Sequence, residues 1–404
     1  MLGDFMEPRS AAYRETMNQL NEEQERRRRV KAKDSDCDYD CEDKDDRNDN
    51  DNDNDNDNAR AITTANANAS ASGNEHVFTT PRLPPEILQL IIESVLPSNP
   101  QALLPTSHSA ARTLLALTRV SRATYTLASR LLRQRCLHVD SSRRLADVLL
   151  CMDRLVPTLP PTALSLRQIT SLYLAPFGGS GSGSGTGSLD DQPTAVWVRE
   201  LLCEVAPTLR RLIVHMPFGS LDPFDDHLNV RRTLRDGFEQ LTRLEEFVCL
   251  GEYPALSVPD RPTTDVWRLW PDLRRLALFG VPLDSHWLWW DVATLPRLQH
   301  LVLARPLNLD GTNIKDQYFH KLPRDDPCLA RPIKVVLMGA AYEIATVDCS
   351  RWADIDPDGR MTVEQYDVPT AFYGDESAHE LVTSWVRRGA LNGSLWDWQG
   401  ERIG

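Results

Sequence analysis

The feature that most restricts this chain is a recurring apolar hexad of the form L-x-x-L-x-L. It appears as ITSLYL at 169–174, LRRLIV at 209–214, LEEFVC at 244–249, LRRLAL at 273–278 and LQHLVL at 298–303. At its fourth position stand Leu172, Leu212, Phe247, Leu276 and Leu301, separated by 40, 35, 29 and 25 residues. Each hexad reads as a short strand. Helix-like stretches such as TAVWVRELLCEVAP at 194–207 lie between them, and WPD at 270 and LPR at 295 lead into strands. One strand and one return segment per unit, each stacked on its neighbours, is the pattern of an irregular α/β solenoid. The runs IKVVLMGAAYEI at 333–344 and MTVEQYDV at 361–368 are expected to extend the sheet. LVTSWVRRGALNGSLWDW at 381–398 reads as a closing helix followed by an aromatic plug. The Gly/Ser run at 178–188 fits neither a dinucleotide fingerprint nor a phosphate loop and reads as a linker or a loop tip.

Core-forming material begins near residue 80. All ten Trp lie at or beyond Trp197, and residues 1–78 hold little aliphatic or aromatic matter. Of the formal net charge of −13, this tail supplies −9, from 20 acids against 11 bases, which leaves −4 for the remainder. A nearly neutral folded part lacks the basic face a nucleic-acid binder needs, so none is expected as partner. The Asp/Asn tract DSDCDYDCEDKDDRNDNDNDNDNDN repels itself and buries nothing, which predicts a disordered tail over 1–78. The tract also lacks the central Gly turn and closing Glu of a calcium loop. The run Arg26–Arg29 with Lys31 and Lys33 reads either as a nuclear-import patch or as a solvated basic cluster. Cys37 and Cys41 have no second Cys/His pair nearby, and eight Cys in this length do not make a disulfide scaffold. With no apolar span of 18 residues and no signal-peptide core, the expectation is an intracellular protein, cytoplasmic or nuclear, without a membrane partner.

Residues 79–137 have a different character. LPPEILQLIIESVLP opens with Pro84 and Pro85, tolerated in a first helical turn, and Glu86 favours the helix dipole. Ile87, Ile91 and Val95 form one row, and Leu88, Ile92 and Leu96 a second beside it. After a loop at 97–109 come Leu114, Leu115, Leu117 and Val120, then Ser121 as N-cap of a third helix carrying Tyr125, Ala128, Leu131 and Leu132. Three helices in under 60 residues do not bury both rows of the first among themselves, and an exposed apolar band marks a partner site. Two acids against seven Arg, a net of +5, suit an acidic partner. The alternative is a helical cap whose rows are all buried against the next domain.

LPPEIL…I at 83–91 and LLALTRVSRATYTLA at 114–128 resemble the F-box. The resemblance implies a three-helix module whose Leu83, Pro84, Ile87, Leu88, Ile91, Leu117, Val120 and Ser121 grip a Skp-type adaptor joined to a cullin scaffold. Tyr125 stands where the family usually has Trp, and the loop between the first two helices is longer than in the compact form. WPDLRRLALFGV, LPRLQHLVLARP and GALNGSLWDWQG resemble the degenerate leucine-rich-repeat region of ascomycete F-box proteins. The Asn expected three positions after each repeat's last Leu is replaced by Phe177, Pro217, Glu252, Val281 and Pro306.

The implied organisation is a disordered acidic tail at 1–78, an F-box at 79–137 and a leucine-rich-repeat-like, target-binding α/β domain at 138–404. The expected role is substrate recognition within a cullin-type ubiquitin ligase, by proximity and without a cofactor. No catalysis is expected: the nine His are scattered, with no H-E-x-x-H pair and no Gly-x-Ser-x-Gly elbow. Asp354, Asp356 and Asp358 in ADIDPDGR read as a turn rather than a calcium loop. Trp287, Trp289 and Trp290 read as core before hot spot, and Trp396 and Trp398 as a C-terminal cap. The rivals are a non-ligase interaction scaffold and a hydrolase within the C-terminal domain.

Overall fold

A computed structural model describes residues 83–150, 168–178, 187–222, 225–258, 265–340, 347–370 and 376–404. The expectations for the acidic tail, its basic run, Cys37 and Cys41, and most of the Gly/Ser run fall outside these residues. The described elements are mixed α and β, with ten α-helices and nine strands. Residues 85–404 form one compact unit. Three helices come first: α1 (Pro85–Glu93), α2 (Ser109–Leu117) and α3 (Arg122–Arg135). Strands and helices then follow: β1 (His138–Val139), α4 (Ser142–Leu150), β2 (Ser171–Leu174), α5 (Gln192–Val205), β3 (Arg211–Val214), α6 (Val230–Glu239), β4 (Glu246–Cys249) and β5 (Arg275–Phe279). The chain continues with α7 (His286–Thr294), β6 (His300–Ala304), α8 (Ile314–Phe319), β7 (Ile333–Ala340), α9 (Trp352–Ile355), β8 (Met361–Val368), α10 (Ala378–Asn392) and β9 (Glu401–Arg402). Among the described residues no helix is long and apolar enough to cross a membrane.

The nine strands lie side by side in chain order, parallel throughout except for β9 against β8. The hexads set the register. Leu172, Leu212, Phe247, Leu276 and Leu301 pair directly across the sheet, and Val335 and Val363 continue the same row. The first, fourth and sixth hexad positions all point to one face and have no exposed surface, as at Leu273, Leu276 and Leu278. They pack against α4–α8. The fifth positions, Tyr173, Ile213, Val248, Ala277 and Val302, point to the other face, as a period of two requires.

The turns before the strands are held by main chain. The Arg210 and Arg211 amides donate to Thr170 O, those of Glu245 and Glu246 to Arg210 O, those of Arg274 and Arg275 to Glu245 O, and those of Gln299 and His300 to Arg274 O. In this backbone ladder each carbonyl satisfies two amides of the next turn at the entry to the strands. The helices start where polar caps stand. Asp191 caps α5 with Pro193 in its first turn, Ser285 caps α7, Asn313 caps α8, and Ser377 with Glu380 forms a capping box on α10.

The C-terminal helix does not close the end of the row of strands. Instead α10 lies against the second face of the sheet, where Val382, Val386 and Ala390 pack with Ile213, Val248, Val302 and Val336. The chain then turns at Gly393, whose φ of 74° favours glycine. Trp396 joins this cluster, and Trp398 stacks on Tyr366 at 5.3 Å. Gly389 is required because a Cβ there would lie 2.4 Å from the Trp398 ring. The two tryptophans therefore cover a sheet face rather than cap a sheet end. Trp289 is core, with Nε1 donating to Leu283 O at 2.7 Å, whereas Trp287 and Trp290 are half-buried and flank His286.

The DPDG segment is a closed turn. The Asp356 carboxylate accepts from Lys315 Nζ at 2.7 Å and from the Arg360 and Met361 amides at 2.8 and 3.0 Å. Asp358 pairs with Arg360. These three donors occupy most of the acceptor sites of the Asp356 carboxylate and tie the turn together.

Candidate partner-docking surface

The docking candidate is the three-helix segment α1–α3. Its core is small: Ile92, Leu114, Ala128 and Leu131 are buried, and Leu88, Leu96, Leu117 and Leu132 pack against them. The second apolar row of α1 is thus consumed internally. The first row is not. Ile87 is 44 % and Ile91 49 % exposed, and only Val95, at the end of that row, packs inward. Leu83 and Pro84, just before α1, are exposed, as are Val120 and Ser121 in the turn between α2 and α3. Six of the eight residues singled out from sequence are therefore at the surface, while Leu88 and Leu117 are half-buried against the helical core.

Two further apolar side chains belong to this surface. Leu90 is 62 % exposed, one turn beyond Ile87, and Leu115 on α2 is 49 % exposed. The i, i+3 spacing of Ile87 and Leu90 was the available signal. Of the ten large apolar side chains left exposed among the described residues, seven lie between Leu83 and Tyr125. Burying one such side chain against a partner releases about 1.5–3 kcal/mol, so this concentration has energetic weight. The segment is also cationic. Residues 85–135 carry six further-charged Arg positions beyond Arg82, against Glu86 and Glu93.

Hydrogen bonds close the turns that carry this surface. Ser121 Oγ accepts from the Thr124 amide at 3.2 Å and Thr124 Oγ1 accepts from the Ser121 amide at 2.9 Å, so the start of α3 is closed from both sides. The long loop at 97–108 is docked rather than free. Leu103 N donates to Leu391 O and Leu104 N to Arg135 O, both at 2.7 Å, and Asn99 Nδ2 reaches Asn392 O at the same distance. This loop fastens α1–α3 to α10. At the end of α3, burial pushes the Cys136 thiol up to about 11 against the opposing pull of Arg135, which keeps it protonated.

His138 marks the passage from α3 into the sheet. It is buried and stacks on Tyr173 at 4.1 Å. Desolvation lowers its pKa to about 4, with Asp140 opposing and Arg387 and Arg144 reinforcing the fall. Because the unfolded imidazole takes its proton near pH 6.5, the unfolded state binds more protons between pH 6.5 and 4. Stability is therefore expected to fall as pH drops through that window, by about 3 kcal/mol when the step is complete. His138→Phe should flatten that part of a urea-midpoint-against-pH curve; an unchanged slope would assign it to other groups.

Neither a scan against protein-family models nor a search of curated proteins finds a match to this chain. Function is therefore read from the residues and their geometry.

Proposed function

We propose that this chain is the target-recognition subunit of a cullin-type ubiquitin ligase, with α1–α3 as an F-box that binds a Skp-type adaptor. In this reading the nine-stranded α/β part is a leucine-rich-repeat-like solenoid that holds a target protein. The chain performs no chemistry itself. It raises the local concentration of target lysines near a ubiquitin donor, as a tethered pair of sites does, and works in the cytoplasm or nucleus. The observation that carries this reading is the division of α1 into a buried row and an uncovered one, Ile87 and Ile91, together with exposed Leu83, Pro84, Val120 and Ser121. A helix serving only as a cap would bury both rows. The solenoid reading is supported by strand order following chain order and by the single fourth-position row running through seven strands.

The test is co-purification of adaptor and cullin with the tagged full chain. Ile87→Asp combined with Ile91→Asp should weaken adaptor association at least tenfold, since a desolvated apolar anchor is worth about 2 kcal/mol or more. Leu83→Ala with Pro84→Ala should act in the same direction. Because these positions are exposed, stability should stay within about 0.5 kcal/mol of the parent. Association that survives the Asp pair refutes the docking assignment. Adaptor without cullin would instead favour an interaction scaffold outside the ligase.

A further inference from the structure

Between the docked loop at 97–108 and α10 runs an open groove of about 600 Å³. Its apolar floor is half-buried Pro97, Pro105 and Leu391 over the buried Leu103 and Leu104, and its rim carries Arg387, Arg388 and His108. No lining residue is acidic. Two other grooves each contain carboxylates, Asp310 and Asp367 in one and Asp354, Asp356 and Asp358 in the other. A chain with a net charge of −13 thus presents a groove whose charged groups, Arg387 and Arg388, are both cationic.

The two guanidinium groups are held by rings, not by acids. Arg387 lies over Tyr173 at 5.6 Å and Arg388 over Trp385 at 5.4 Å, and among the described residues neither forms an ion pair. Both side chains are exposed. A guanidinium positioned on an aromatic face keeps its N–H donors for an incoming oxyanion and loses less freedom on binding it. His108 accepts from the Ala110 amide through Nδ1 at 3.1 Å, which fixes the tautomer with Nε2 as donor.

We propose that this groove is the target-docking site and that it receives an acidic peptide segment. Apolar side chains of the segment rest on Pro97, Pro105 and Leu391, and its carboxylate or phosphate groups meet Arg387 and Arg388. The proposal rests on the reading of this chain as a target-recognition subunit, and it names the class of target. The apolar floor favours a peptide over a nucleic acid, which would need cationic groups spaced along a backbone rather than gathered on one rim.

The test uses the full-length chain and fluorescein-labelled octapeptide libraries with Leu at two positions and Asp, phosphoserine or Lys at the others. The Asp or phosphoserine library should bind and the Lys library should not, with affinity falling as salt is raised from about 50 to about 500 mM. Arg387→Glu with Arg388→Glu should weaken binding at least tenfold. Ser384→Glu, an exposed α10 position lining the groove, should do likewise without touching either ring contact. Binding of the phosphoserine library alone identifies phosphate as the oxyanion; binding of both shows that a carboxylate suffices. Equal binding of the Lys library, no binding of any library, unchanged affinity in both variants, or tighter binding of a thymidine 20-mer would overturn the proposal. The groove variants should leave adaptor co-purification unchanged, and Ile87→Asp should leave peptide affinity unchanged, so the two readings fail separately.

Discussion

Arg211→Ala is expected to lower the unfolding free energy by about 3–5 kcal/mol, the range for removing one partner of a buried ion pair. Arg211 and Glu246 are both buried, with Nε to Oε1 at 2.5 Å. The same guanidinium donates to Gln101 O in the loop and to Ala390 O in α10. One side chain therefore ties β3, β4, the loop that carries the three-helix segment and the helix that covers the sheet. Its loss leaves Glu246 buried with only Arg275 at 3.4 Å, removes the donor to Gln101 O, and leaves Ala390 O with only the Gly393 amide. The adjacent Arg210 provides the contrast. It pairs with Glu245 at 3.2 Å, but both side chains are 42 % exposed, so Arg210→Ala should cost less than about 1 kcal/mol. Urea denaturation of both variants decides the matter: equal, small losses would show that the buried network contributes nothing to holding these elements together.

Asp356→Ala should be comparably severe, at about 3–5 kcal/mol. Its side chain is 1 % exposed and that of Lys315 is 8 %. Lys315 Nζ also lies over the Trp352 ring at 5.2 Å, which does not replace a carboxylate. Without Asp356 a buried ammonium and the amides of Arg360 and Met361 lose their acceptor at the entry to β8. Asp356→Asn, which keeps an acceptor and removes the charge, should recover part of the loss. Adding Lys315→Met to Asp356→Ala should recover more, since it removes the stranded charge; if the double variant is less stable than the single one, the uncompensated ammonium is not the cause.

Much of the sheet is legible in the order of residues alone. The hexads specify which side chains share a face, because alternate residues of a strand point to opposite sides and the pattern marks three of six positions as buried. Ser121 as the start of α3 is equally legible, because a hydroxyl ahead of a helix has one common use. The two rows of α1 follow from spacing. What spacing does not say is which row the protein keeps for itself. Leu88 and Leu117 carry the same periodicity as Ile87 and Val120, yet the first two pack on the helical core and the other two do not.

The placement of α10 shows the same boundary. Its apolar face, Val382, Val386 and Ala390, demands burial, but an amphipathic helix fits the end of a row of strands as well as a sheet face. The choice was made by partners far along the chain: the Tyr173 ring beneath Arg387, the Trp398 ring over Gly389, and Arg211, 179 residues from the Ala390 carbonyl it binds. Local patterning thus determined that these faces exist, since burial of apolar surface depends only on what each side chain is. Tertiary structure decided what covers them, since that depends on which surfaces the folded chain brings within reach. The groove between the loop and α10 belongs wholly to the second kind, because its floor and rim come from segments that meet only after folding.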